Sequence, residues 1–95
     1  MTKEEKDLAW LLLQENHYLV RSINVSGKEV YKILRGKQIP IQYFTHATVR
    51  RFFHLLRPNS KNRFILNLNA VRQLNGNNYI KKLYQTQREM LAKKN

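Results

Sequence analysis

Thr45-His-Ala-Thr-Val-Arg-Arg-Phe-Phe-His-Leu-Leu-Arg57 is the stretch on which the fold reading turns. Val49, Phe52, Phe53 and Leu56 stand at i, i+3, i+4 and i+7, the spacing that gathers apolar residues on one side of a helix. That spacing predicts a helix over 45–57 with this side turned to a core. His46, Ala47, Arg50, Arg51, His54 and Arg57 then occupy the other side, which carries cationic groups and no anion. Burying each apolar residue stabilises by about 1.5–3 kcal/mol, enough to hold the helix rigid. A rigid basic helix suits docking into a nucleic-acid groove.

Working toward the N-terminus, Thr45 is placed to cap this helix. Ile39-Pro40 is biased toward extended or turn backbone, and Ile41, Tyr43 and Phe44 can pin the connection to the core. Ser26-Gly27-Lys28-Glu29 matches the capping-box pattern and predicts a second, short helix with Val30, Ile33 and Leu34 as its apolar stripe. Gly36 is placed for the left-handed turn that would end it. His17 to Val25 is rich in β-branched and aromatic residues and predicts a short strand. Before it, Thr2 caps a helix reaching Asn16, with Glu4, Glu5 and Asp7 near its positive end and Leu8, Leu11 and Leu12 facing inward. Trp10 lies across from that stripe and reads as a half-buried anchor in a core or interface.

Toward the C-terminus, Arg57-Pro58-Asn59-Ser60-Lys61-Asn62 reads as a basic turn, and the alternation of Phe64, Leu66 and Leu68 as a strand. Asn69 to Leu74 predicts a short helix, with a hairpin across Asn75-Gly76 as the competing reading. From Tyr79 to Lys93, the apolar residues Ile80, Leu83, Tyr84, Met90 and Leu91 fall near heptad spacing, interrupted by Gln87. They are the expected dimer interface, although a stripe that closes the monomer's own core weighs nearly as much.

The elements together predict a mainly α fold with a small β element, a domain over 1–75 and a C-terminal amphipathic helix over 76–95. Carried by Ser26 to Leu34, Thr45 to Arg57 and Pro58 to Leu68, the chain resembles the winged helix-turn-helix superfamily. That resemblance implies that the third helix enters the major groove with His46, Arg50, Arg51 and His54, and that Lys61 and Arg63 lie on the wing. A single clear strand for the wing departs from the superfamily's pattern.

Composition narrows the function classes. Eighteen Lys plus Arg against six Asp plus Glu give a net charge of +12 over 95 residues. Between Glu29 and Glu89 there is no acid, while twelve Lys and Arg lie between them. A surface charged only for solubility would mix signs, so the acid-free middle points to an anionic partner. The absence of cysteine excludes disulfides, cysteine zinc fingers and a thiol nucleophile, and fits a reducing, cytoplasmic compartment. Leu8 to Leu13 is too short to cross a bilayer. His17, His46 and His54 lack a carboxylate or cysteine set at metal-ligand spacing, and no Walker loop, dinucleotide fingerprint or nucleophile elbow is present. No catalytic role, metal or small-molecule cofactor is expected.

These readings converge on sequence-specific binding of double-stranded DNA by a homodimer, as a regulator of transcription or a replication factor. Arg50 and Arg51 would reach base edges, and Lys37, Arg57, Lys61 and Arg63 would clamp phosphates. Two alternatives stand beside it. An accessory module that binds a protein partner would expose Trp10, Tyr79 or Tyr84. A binder of single-stranded DNA or RNA would expose Tyr31, Tyr43 and Phe44 for stacking, residues expected to be mostly buried.

Overall fold

The computed structural model describes residues 1–37 and 39–93; the last two residues of the expected 76–95 segment lie outside them. The elements run in the order α1 (Lys3–Leu13), β1 (His17–Ile23), β2 (Glu29–Arg35), β3 (Ile39–Phe44), α2 (His46–Arg50), a 3-10 turn (Phe53–Leu55), β4 (Leu56–Ser60), β5 (Arg63–Leu66), α3 (Leu68–Arg72) and α4 (Tyr79–Lys93). With 32% strand beside 42% helix, the protein is not mainly helical, and its centre is a five-stranded sheet. The strand order is β3-β2-β1-β5-β4, and every neighbouring pair is antiparallel. The expected mainly α, winged helix-turn-helix-like architecture is therefore corrected to a helix layer packed on one face of an antiparallel sheet.

Two segments carry the correction. Ser26 to Leu34 is not a helix. Asn24 Oδ1 accepts from the Ser26 and Lys28 N–H groups at 2.9 and 3.0 Å, and Gly27 takes φ 80°, so the apparent capping box is a hairpin turn into β2. Val30, Ile33 and Leu34 satisfy a helical spacing, yet Tyr31 and Ile33 point to the helices while Leu34 is buried outside the main core. Gly36, at φ 54°, turns β2 into β3 and does not end a helix.

The second segment is 45–57. Thr45 caps as expected, its hydroxyl accepting from the Thr48 N–H at 3.3 Å, but the helix stops at Arg50. Pro58 biases Arg57 toward extended backbone, and Leu56 and Arg57 pair instead with Leu66 and Ile65. Of the apolar set, Val49 and Phe52 are buried, Leu55 joins them, and Phe53 stays 39% exposed. The elements α1, β1, β5, α3 and α4 lie close to where the sequence places them.

Alternation along the strands gives the sheet two chemically different faces. Leu19, Tyr31, Ile33, Phe44 and Leu66 meet Leu8, Ala9 and Leu12 of α1, Val49 of α2, Phe52, Leu55, Val71 of α3, and Ile80 and Tyr84 of α4 in one core. Among the described residues no helix covers the opposite face.

Candidate nucleic-acid interface

The uncovered face is defined by register. Tyr43 pairs with Lys32, Lys32 with Val20, Val20 with Arg63, and Arg63 with Ser60, so one row crosses all five strands. In a neighbouring row Pro40 pairs with Leu34 and Leu34 with Tyr18, and on the far side Ile65 pairs with Arg57. Lys32, Arg63 and Arg57 thus stand on this face with two tyrosines and a floor of aliphatic side chains.

The two tyrosines differ. Tyr18 lies across the sheet, its hydroxyl donating to the Gly36 carbonyl at 3.1 Å, and the Arg63 guanidinium sits 5.1 Å from its ring centre. Arg63 is held over an aromatic ring by a cation–π contact, which leaves its guanidinium beside a π surface that bases can share. Tyr43 is 66% exposed on the edge strand, and its ring is open to solvent. Tyr31 and Phe44 are buried, as the sequence led one to expect; Tyr43 is not.

The acids explain why this face is cationic. Glu4 accepts from the Thr45 N–H at 2.8 Å and from the Thr45 and Thr48 hydroxyls at 3.2 and 2.8 Å. The Thr45 backbone bond, followed by the Thr48 hydroxyl, holds the Glu4 carboxyl below the usual glutamate range. Glu5 accepts from Arg51 Nη1 at 2.5 Å, and that bond lowers its pKa likewise. Glu29 sits among Tyr31 Oη at 3.2 Å, His46 Nε2 at 3.5 Å and Arg21 Nη1 at 3.9 Å. Burial first, and the Glu29 hydrogen bond second, raise the Tyr31 phenol above its ordinary value. Three carboxylates are therefore gathered on the helix side, two of them folded back from α1 onto α2. By sequence, Glu4 and Glu5 are favourable charges at a helix start. Their long-range role has no local signature beyond the scarcity of acids elsewhere.

That gathering disperses the expected groove-reading set. α2 spans five residues and faces α1; Arg51 is tied to Glu5, and His46 stacks 5.8 Å from Tyr31 beside Glu29. The Glu29 carboxylate at His46 is one that sequence spacing did not reveal, yet among the described residues no third ligand joins the pair to hold a metal. Arg50 and His54 are exposed and make no ion pair among the described residues. Lys61 occupies the β4–β5 turn and Lys37 the β2–β3 turn, at opposite ends of the sheet, while Arg57 and Arg63 lie on the uncovered face. The residues assigned to one helix thus divide between the two sides of the molecule.

The expected dimer stripe divides too. Ile80 and Tyr84 are buried in the protein's own core, and Leu83 packs against it. Met90 and Leu91 remain exposed and line an apolar groove of about 160 Å³ with Trp10, Gln14 and Leu83. Gln87 Nε2 donates to the Leu13 carbonyl at 2.7 Å, so the residue that interrupts the heptad seam fastens α4 to α1. Among the described residues no helix is long and apolar enough to cross a membrane. Set against known protein families, curated proteins and solved structures, the chain matches none at a significant level.

Proposed function

We propose that the protein binds single-stranded nucleic acid on the uncovered face of its sheet. The single observation that carries this reading is the row Tyr43, Lys32, Val20, Arg63 and Ser60, which spans all five strands without an acid. Exposed aromatic and guanidinium planes stack unpaired bases, flanking cations neutralise phosphates, and a sheet of this kind typically accommodates two or three bases.

Size favours single strands over duplex. Five strands at about 4.8 Å spacing make a surface about 19 Å across, whereas the major groove, about 12 Å wide, admits a helix or a two-stranded ribbon. The groove-reading helix on which the duplex expectation stood is short and faces another helix. Within the dimer expectation, Ile80 and Tyr84 are spent on the core, and contact would pass to Trp10, Met90 and Leu91.

Side-by-side titration of single-stranded DNA, structured RNA and duplex DNA at two salt concentrations tests the proposal. Single strands should bind tightest. With Lys32, Arg57, Lys61 and Arg63 engaged, log K should fall with log salt at a slope of about −3. Preference for duplex, or binding insensitive to salt, refutes it.

A further inference from the structure

The uncovered face does not end at its edge strand. Beyond Arg57 and Ile65 it opens into a cleft of about 500 Å³ lined also by Leu66, Asn67, Asn69 and Arg72, where the last residues of β5 turn into α3. Two arginines reach this cleft from different elements, Arg57 from β4 and Arg72 from α3, and no carboxylate among the described residues lines it. On the helix side Arg51 is paired with Glu5 and Arg21 with Glu29.

Arg72 is already oriented. Its Nη1 donates to Asn69 Oδ1 and its Nη2 to the Tyr84 hydroxyl, each at 3.2 Å. Both acceptors are neutral, so the guanidinium is positioned without its charge being cancelled. Asn67 Oδ1 likewise accepts from the Ala70 N–H at 3.3 Å. With their oxygens occupied, the amide groups of Asn67 and Asn69 present donors. Two uncancelled guanidiniums and two amide donors around one polar cleft form a set matched to a tetrahedral oxyanion, because arginine's planar fork pairs with phosphate oxygens and neutral donors complete the shell.

We propose that this cleft holds a phosphate group of the nucleic-acid strand carried on the sheet. The assignment rests on the single-strand reading of the sheet face. The row from Tyr43 through Lys32 to Arg63, continued by Ile65 and Arg57, leads from the exposed tyrosine to the cleft. A strand laid along it would deliver its backbone between Arg57 and Arg72. A phosphate at the strand's end and one in its interior are received by the same chemistry.

Two measurements on the full chain separate this inference from the reading beneath it. Inorganic phosphate is titrated at constant ionic strength while the arginine Nε–Hε signals are followed by NMR. The Nε signals of Arg57 and Arg72 should move and those of Arg35 and Arg88 should not; equal movement of all, or of none, overturns the site. Affinity for a short oligothymidine is then measured for Arg57→Ala, Arg72→Gln and Tyr43→Ala, with melting curves to exclude unfolded variants. Each arginine change should weaken binding about tenfold, as for loss of a charged hydrogen bond, and reduce the salt slope by about 0.7. Tyr43→Ala should weaken binding with the slope unchanged. If Tyr43→Ala weakens binding while both arginine variants bind as the parent does, the cleft assignment fails and the sheet reading survives. If the parent protein binds no single strand, the sheet reading fails and the strand-phosphate assignment with it, whatever free phosphate does. Oligothymidines with a 5′-phosphate, a 3′-phosphate or neither distinguish the two sources: a gain specific to one end that Arg72→Gln abolishes identifies a terminal phosphate, and equal affinities with the arginine losses intact identify an internal one.

Discussion

The two faces of the sheet are built from the same strands and differ in almost every other respect. The face that carries Leu19, Tyr31 and Ile33 is sealed by four helices and a 3-10 turn, and Glu4, Glu5 and Glu29 lie along its borders, each engaged by donors. Among the described residues the strand positions on the face that carries Lys32, Arg63 and Tyr43 include no acid, and no helix packs against them. The contrast teaches how a small basic protein can concentrate its charge. Glu4 and Glu5 are used as ties between α1 and α2, and Lys32, Arg57 and Arg63, which make no ion pair among the described residues, stand on the face against which no helix packs. Net charge alone would not distinguish this from a uniformly basic surface.

Substitutions that exchange the roles of the two faces would break the comparison. The largest effect is expected from Leu19→Ala, which leaves a cavity under the helices and should cost about 2–5 kcal/mol in urea unfolding; a cost below 1 kcal/mol would mean that this face is not the core. Tyr43→Ala should be nearly silent in the same experiment, yet remove a stacking platform worth about 1–3 kcal/mol of single-strand binding. Smaller again is Thr45→Ala, which deletes the cap of α2 and a hydroxyl bonded to Glu4, for an expected loss of about 1–2 kcal/mol in thermal unfolding.

The smallest effect is the pH dependence of the α1–α2 ties. Glu4 and Glu5 have lowered pKa values in the folded state, so their contribution is complete above the ordinary glutamate range. It is lost as pH falls, because the unfolded chain takes up those protons first. Glu5→Gln should therefore flatten the decline in melting temperature below about pH 4. An acid limb as steep as the parent's would show that the Glu5–Arg51 tie adds nothing to stability.

Much of the chain announces its local structure. Thr2 and Thr45 cap the helices they were expected to cap, the β-branched run from His17 forms a strand, and the Tyr79–Lys93 helix is continuous. The misreadings arise where a local pattern is satisfied by two geometries. Ser26-Gly27-Lys28-Glu29 can open a helix or close a hairpin, and only the pairing of β2 between β1 and β3 decides. Val49, Phe52, Phe53 and Leu56 fit one helical face, but Pro58 and the partnership of Leu56 with Leu66 draw the chain into β4. Of the proposed site, the cations Arg57, Lys61 and Arg63 were already expected as phosphate contacts from the sequence, because an expectation that rests on charge does not depend on the fold. Lys32 was not, and Tyr43 was named for stacking only in the single-strand alternative and expected to be buried, since their place in one exposed row depends on the register of β2 with β3.

The most direct test sets one charge from each face against the other. Lys32 sits in the row on the uncovered face, and Arg50 is the exposed cation of the helix first read as entering a groove. Single-strand affinity of Lys32→Glu and Arg50→Glu should be measured at low salt, with folding verified by melting curves. Loss of binding in Lys32→Glu with near-parental binding in Arg50→Glu is the expected result. The reverse pattern would contradict the assignment of function to the sheet and return it to the helix side.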